Sequence, residues 1–201
     1  MEIGEESSYA HIGMMAPIGT ARFGNGLVQR YWLDWVEYSF ESDNQTVDAD
    51  APGAEAVIGY QWPVGHGTAA VYAGPAYRDT RLSPSNVDSD VKGGRWGAKL
   101  QAEGSADLDA WRTEGILAYI AGPGSYWGRV RMGYRNAGTL MPGMELIHQG
   151  DSDYHATTVG VFLGNIAFGS GTATVKSGVR FTPDVDNSAY VGLELSFFTA
   201  R

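Results

Sequence analysis

The amino-acid sequence predicts an all-β fold, an antiparallel up-and-down transmembrane β-barrel of ten or twelve strands. Three observations lead there: an apolar period of two, aromatic pairs at matched heights, and long connections alternating with short ones. The period is clearest from Arg95 to Ser105, where every even position is apolar or glycine and every odd position except Gly97 is polar or charged. Such a stretch is a strand with one apolar and one polar face. Three later runs repeat it: Ala173, Val175, Ser177, Val179 and Phe181 against Thr174, Lys176, Arg180 and Thr182; Tyr126, Val130, Met132 and Tyr134 against Arg129, Arg131 and Arg135; and Ala189, Val191, Leu193, Leu195 and Phe197 against Glu194 and Ser196.

The aromatic residues separate a barrel in a membrane from a soluble sandwich, which also alternates. Trp111 and Tyr119 share a face with Thr113, Gly115 and Leu117 between them, and Tyr126 and Tyr134 enclose Gly128, Val130 and Met132. A tilted strand covers about 20 Å over that spacing, close to the height of the apolar band of an outer membrane between its two aromatic girdles. Trp96, Trp111, Tyr119, Tyr126 and Tyr134 are the expected interface aromatics. The acidic stretches Glu41 to Gly53 and Arg81 to Gly93 read as long loops, alternating with short reversals at Pro63 to Gly67 and Asp107 to Asp109. The last strand, with Gly192, Leu195 and Phe197, resembles the terminal signal of outer-membrane proteins, although the chain ends on Phe198-Thr199-Ala200-Arg201.

Taken in order, residues 1–7 are polar and read as a flexible N-terminus, with residues 8–201 forming one barrel domain. Strands are expected at Tyr9 to Ile18, Val28 to Glu41, Ala54 to Trp62, Thr68 to Thr80, Gly94 to Ala106, Ala110 to Ala121, Tyr126 to Asn136, Met141 to Gln149, Tyr154 to Gly164, Thr172 to Thr182 and Ala189 to Phe198. That makes eleven, whereas bacterial single-chain barrels have an even number, hence the expectation of ten or twelve. The aromatic strand from Val28 is the least clear, because its apolar residues fall on both faces.

Composition bounds the function. The chain of 201 residues has 28 glycines, 12% aromatic residues and no cysteine, which suits short strands and excludes a disulfide framework or a cysteine-based zinc site. No apolar run approaches the ~20 residues of a membrane helix. A net charge of −9 argues against a nucleic-acid partner, which would need a clustered cationic surface. Met1 to Glu6 has neither the cationic segment nor the apolar core of a signal peptide. An outer-membrane location therefore implies that such a peptide has been removed.

The faces opposite the aromatics carry Arg95, Lys99, Glu103, Arg112, Glu114, Arg129, Arg131, Arg135, Lys176, Arg180 and Glu194, together with Glu55 and Glu145. In a narrow barrel these lie inside, where pairing lowers the cost of removing charge from water. They are expected to fill the lumen as a network; the competing reading is a path for a polar or anionic ligand. No catalytic residue, metal ligand or cofactor is assigned. His11, His66, His148 and His155 lack metal-ligand spacing, and the glycines precede no helix that could cradle a phosphate. Asp48, Asp50, Asp88 and Asp90 lack the rest of a calcium loop. A barrel lipid hydrolase would need a nucleophile beside a histidine. Tyr154-His155-Ala156-Thr157-Thr158 offers a histidine beside hydroxyls, but next-door neighbours on one strand face opposite ways.

Two passages carry a family resemblance: Ala73-Gly74-Pro75-Ala76-Tyr77-Arg78-Asp79-Thr80-Arg81-Leu82-Ser83-Pro84, and Met141-Pro142-Gly143-Met144-Glu145-Leu146 followed by Tyr154 to Gly164. They resemble the cellulose biosynthesis protein BcsS family of alphaproteobacteria, barrel-like secreted proteins found with cellulose synthase operons. In the second passage Pro142-Gly143 stands in the reverse of the expected Gly-Pro order. The resemblance implies an outer-membrane location and a part in cellulose or other exopolysaccharide biosynthesis and secretion; ten or twelve strands with a charge-filled lumen add the expectation of an accessory or scaffold with at most a narrow channel. Its implied partners are outer-membrane lipid and the polysaccharide secretion machinery; it supplies no catalytic residues. The alternative is a soluble or periplasmic glycan-binding β domain whose Trp and Tyr residues stack on sugar rings.

Overall fold

The computed structural model describes residues 1–4, 7–42, 45–87, 89, 91–135, 139–152, 154–183 and 186–197. Twelve strands form one closed antiparallel barrel. They are β1 (Glu2–Gly4), β2 (Ser7–Pro17), β3 (Gly26–Ser42), β4 (Gln45–Val64), β5 (Gly67–Ser83), β6 (Gly93–Leu108), β7 (Trp111–Ala121), β8 (Ser125–Tyr134), β9 (Met141–Gly150), β10 (His155–Phe168), β11 (Gly171–Phe181) and β12 (Ser188–Phe197). Each pairs with its neighbours in sequence, and β1 against β12 closes the ring.

The strand absent from the expected eleven is β1. It lies in the segment read as flexible, yet Ile3 pairs with Val191 on one side and Ser8 on the other. Three residues are too few to show a period, so only pairing across the closure reveals this strand.

Alternation divides the wall as its period requires. Ile12, Leu33, Ile58, Val71, Leu100, Leu117, Val130, Leu146, Val161, Val191 and Leu193 are exposed on the outer surface, while Arg30, Glu55, Gln101, Arg131, Glu145, Lys176 and Arg180 are buried on the inner one. In β6, odd residues point in and even ones out over Arg95 to Ser105.

The acidic stretch Glu41 to Gly53 is not a loop. β3 runs to Ser42 and β4 begins at Gln45, with ladder pairs from Glu37↔Asp50 up to Ser42↔Gln45. Similarly, β5 continues to Ser83 and shortens the second loop from below. Residues 43, 88 and 90, part of the acidic stretches, lie outside the described residues. The result is an extension of β3, β4 and β5 above the rest of the wall. Its inner face holds Tyr38, Phe40, Val47, Ala49 and Leu82, closed by Val87; its outer face carries Glu37, Ser39, Asp48 and Asp50. The polarity is the reverse of that lower down, which is why this apolar pattern reads as loop.

Candidate functional site

The lumen contains two polar networks on opposite halves of the wall. One centres on Arg30 of β3. Its Nη1 lies 2.7 Å from Glu103 Oε1, its Nη2 donates to Gln101 Oε1 at 2.9 Å, and Glu55 lies 3.7 Å away. Lys99 pairs with Glu55. The Tyr72 hydroxyl donates to Glu103 at 3.2 Å and accepts from Gln61 at 2.9 Å. Tyr72 also turns its ring to Arg30, 4.4 Å from the guanidinium carbon, a cation–π contact.

The other network centres on Glu194 of β12. Arg131 and Arg129 reach it from β8 at 2.7 and 3.1 Å, and Lys176 from β11 at 2.9 Å. Arg131 also pairs with Glu145 at 2.7 Å, whose other oxygen accepts from the Tyr190 hydroxyl at 2.7 Å. Lys176 and Arg180 both pair with Glu2. β1 is thereby tied to β11 from inside as well as through the sheet.

Between the halves the wall is wetter. None of the lumen-facing residues of β2 or β7 is buried, whereas Ala156, Thr158, Gly160, Phe162 and Gly164 of β10 all are. The lumen is therefore most accessible to solvent along β2 and β7. On the β2 side Tyr9, His11 and Trp32 form a stack, with centroid distances of 5.1 and 4.8 Å. Trp32 lies across Gly13, where a Cβ would occupy the ring's place. On the β7 side are Ile116, Ala118 and Trp127, the last with the Arg129 guanidinium 5.5 Å from its ring.

Above the networks, the extension of β3 to β5 bends across one mouth. Tyr38 meets Tyr154 of the β9–β10 connection with ring centroids 5.0 Å apart. Those two elements stand nearly opposite in the order of strands around the barrel. Tyr154 and Val36 pack on the apolar interior of the extension, which is thus a strap across the opening. At its base Asp34 and Arg78 pair on the lumen side of Gly53, whose missing side chain leaves room for the carboxylate 2.8 Å from an ideal Cβ position.

Of the residues singled out in the sequence, Lys99, Glu103, Arg129, Arg131, Lys176, Arg180 and Glu194 belong to the two networks. Arg112 lies near the rim opposite the strap, paired with Glu114 at 2.8 Å and Asp107 at 3.1 Å; Arg135 joins Asp107 from the same rim at 3.1 Å. Arg95 lines a small cavity under the strap with Asp34, Glu55 and Arg78. Trp96, Trp111, Tyr119 and Tyr134 are exposed on the outside. Trp111 packs edge-on against Tyr134 at 5.2 Å, and the Tyr126 ring lies 5.3 Å from that of His148. His148 also lies 3.0 Å from Thr157 Oγ1 and 3.3 Å from the Tyr126 hydroxyl. The histidine beside a hydroxyl is therefore His148 across the ladder, and its other partner is a phenol, not the carboxylate that orients a catalytic histidine.

Sequence reasoning missed Arg30, Tyr72, Gln101, Glu2, Tyr190 and the strap contact. A lone arginine in an aromatic strand was the available signal for Arg30. Nothing in the sequence brings Tyr38 to Tyr154.

Among curated proteins none matches this chain. Among solved structures, the KdgM porin in complex with disordered oligogalacturonate superposes with a TM-score of 0.55 at 15% identity, covering 98% of this chain and 96% of that one, a likeness of fold. Residues 1–199 match the family described as cellulose biosynthesis protein BcsS. With that match spanning the whole barrel, from the closure strand β1 to the end of β12, the chain belongs to the cellulose biosynthesis protein BcsS family.

Proposed function

We propose that this protein is an integral outer-membrane barrel serving as a non-enzymatic accessory in the production and secretion of cellulose or a related exopolysaccharide, with its lumen held shut at the outer mouth. The observation that carries the closed state is the strap: Tyr38 reaches Tyr154 across the opening, above the two charge networks of the lumen. Family membership supports the link to polysaccharide. The apolar outer wall and the aromatics Trp96, Trp111, Tyr119, Tyr126 and Tyr134 support the membrane location, as interface anchors. The strap marks the outer end, since outer-membrane barrels carry their longer connections outside and short turns in the periplasm; the turn at Gly65–His66 between β4 and β5 is at the opposite end. A soluble glycan binder would gather these aromatics in one groove, but they stand on the convex surface.

Planar-bilayer recording tests the closed state. The protein is expected to give small or no steady conductance, and large, stable channels that cello-oligosaccharides block would overturn the reading. Because the chain lacks cysteine, Tyr38→Cys with Tyr154→Cys makes a unique pair that should cross-link on oxidation and keep the barrel silent. Removing residues 39–48 should raise conductance; a silent deletion variant would show that the strap is not the closure. Unboiled protein in detergent should migrate differently from boiled protein, and loss of surface cellulose on gene deletion tests the accessory role.

A further inference from the structure

Under the strap the matching of charge fails at one residue. Every other lumen-facing cation described above pairs with a carboxylate, whereas Arg95 has no such partner among the described residues. Arg95 points into the lumen near the start of β6, and the register sets it directly opposite Arg78 of β5. Like charges facing each other across a ladder are destabilising. Asp34 pairs with Arg78, while Glu55, the other acid on this stretch of wall, is already shared by Lys99 and Arg30. One carboxylate therefore faces two guanidinium groups.

The surroundings suit an anion that would complete the pairing. Arg78 and Arg95 line the same small cavity, with Ile120 and Pro123 as apolar neighbours and Ser125 of β8 bringing a hydroxyl. Arg78 donates to Asp34 through Nη2, and its remaining N–H groups, with the whole fork of Arg95, have no acceptor among the described residues. A guanidinium grips a carboxylate or a phosphate through two parallel, charge-assisted hydrogen bonds, a geometry that a lysine cannot reproduce. Arg95 is exposed, whereas the Arg78 side chain is 29% exposed and already anchored by Asp34. An anion therefore meets Arg95 from solvent and is held against Arg78. The size of the cavity admits one acidic group, with the rest of its molecule remaining outside. We propose that Arg95 and Arg78 bind the oxyanion of a ligand bearing a carboxylate or a phosphate, with Ser125 as a third donor. This goes beyond the accessory role, since neither the conductance of the barrel nor the effect of gene deletion on cellulose bears on it.

Titration calorimetry on the detergent-purified barrel at low ionic strength tests the site, with the gel shift on boiling as the check that each variant is folded. The probes are glucuronate for a carboxylate, inorganic phosphate for a phosphate, and glucose as the uncharged control. At least one of the two anions is expected to bind and glucose is not; the tighter anion names the acidic group of the ligand. Arg95→Gln should weaken that binding by about tenfold or more, and Arg95→Lys, which keeps the charge without the fork, should fall between. Arg78→Lys keeps a cation for Asp34, so that the fold is spared, and should also weaken binding. Arg22 stands in the β2–β3 turn at the opposite mouth, and Arg22→Gln removes the same charge from the protein while leaving the affinity unchanged. No binding of either anion at about 10 mM, glucose binding as well as the anions, a folded Arg95→Gln variant with unaltered affinity, or an equal loss in Arg22→Gln would each overturn the proposal.

Discussion

On one side of the lumen a carboxylate, Glu194, is gripped by Arg129, Arg131 and Lys176; on the other a guanidinium, Arg30, is held by Glu55, Gln101 and Glu103. The centres carry opposite charge, and the geometry that satisfies them differs. A carboxylate accepts from several directions at once, so three cations from two strands converge on it without leaving a lone pair stranded. A guanidinium offers N–H groups fixed in one plane, and any without an acceptor in that plane is orphaned, as Arg30 Nε is. The Glu194 network also reaches further around the wall, from β8 to β12 and through Lys176 and Glu2 to β1. It clasps the barrel where the ends of the sheet meet. The Arg30 network spans only β3 to β6 and leaves Arg30 Nε buried without a partner among the described residues.

If the clasp is what holds the closure, Glu194→Gln should be the most damaging single change. It removes the carboxylate that three cations share, with only Glu145 and Glu2 remaining to Arg131 and Lys176, in a site where the Lys176 and Arg131 side chains are 2% and 7% exposed, and losing one partner of such a group costs about 3–5 kcal/mol. Urea unfolding of the barrel refolded into lipid vesicles measures it; a loss below about 1 kcal/mol would show that water replaces the carboxylate and that the network is not a clasp. Glu103→Gln should cost less, about 1.5–3 kcal/mol, since one charged hydrogen bond is weakened while Arg30 keeps Glu55 and Gln101. Combining the two changes sharpens the contrast, because separate networks should add to within about 0.5 kcal/mol and a larger coupling would make them one. The smallest effect is expected at the rim. Arg135→Ala removes a pair to Asp107 whose arginine side chain is 42% exposed, and should shift stability by no more than about 1 kcal/mol.

Much of this wall was legible from alternation alone. Arg95 to Ser105 shows it best, because within the apolar belt every outward residue is constrained to be apolar and every inward one faces charge or water. Legibility failed where the constraint changes. From Glu37 upward β3 turns its acidic residues outward and its apolar ones, Tyr38 and Phe40, inward, so that the strand appears apolar on both faces and the partner segment from Gln45 appears to be a loop. The networks were half legible: their charged members stood on the predicted faces, but which acid meets which base depends on chords across the lumen. Arg131 reaches Glu194 across the width of four strands, and no spacing along the chain encodes that distance. Glu2 was hidden because a three-residue strand has no pattern to detect.

The reversal of polarity at Glu37 has a mechanical consequence in a bilayer. A barrel with a uniform apolar outside could ride up and down by a residue or two with little penalty, its depth set only by the soft preference of aromatic residues for the interface. Here a downward slide would carry Glu37, Asp48 and Asp50 toward hydrocarbon, at a cost that rises with depth. An upward slide would lift Trp35, the outward residue next below Glu37, toward water, forfeiting its apolar burial. In a bilayer the base of the strap would thus act as a flange, fixing at one level the mouth it covers and the networks beneath it.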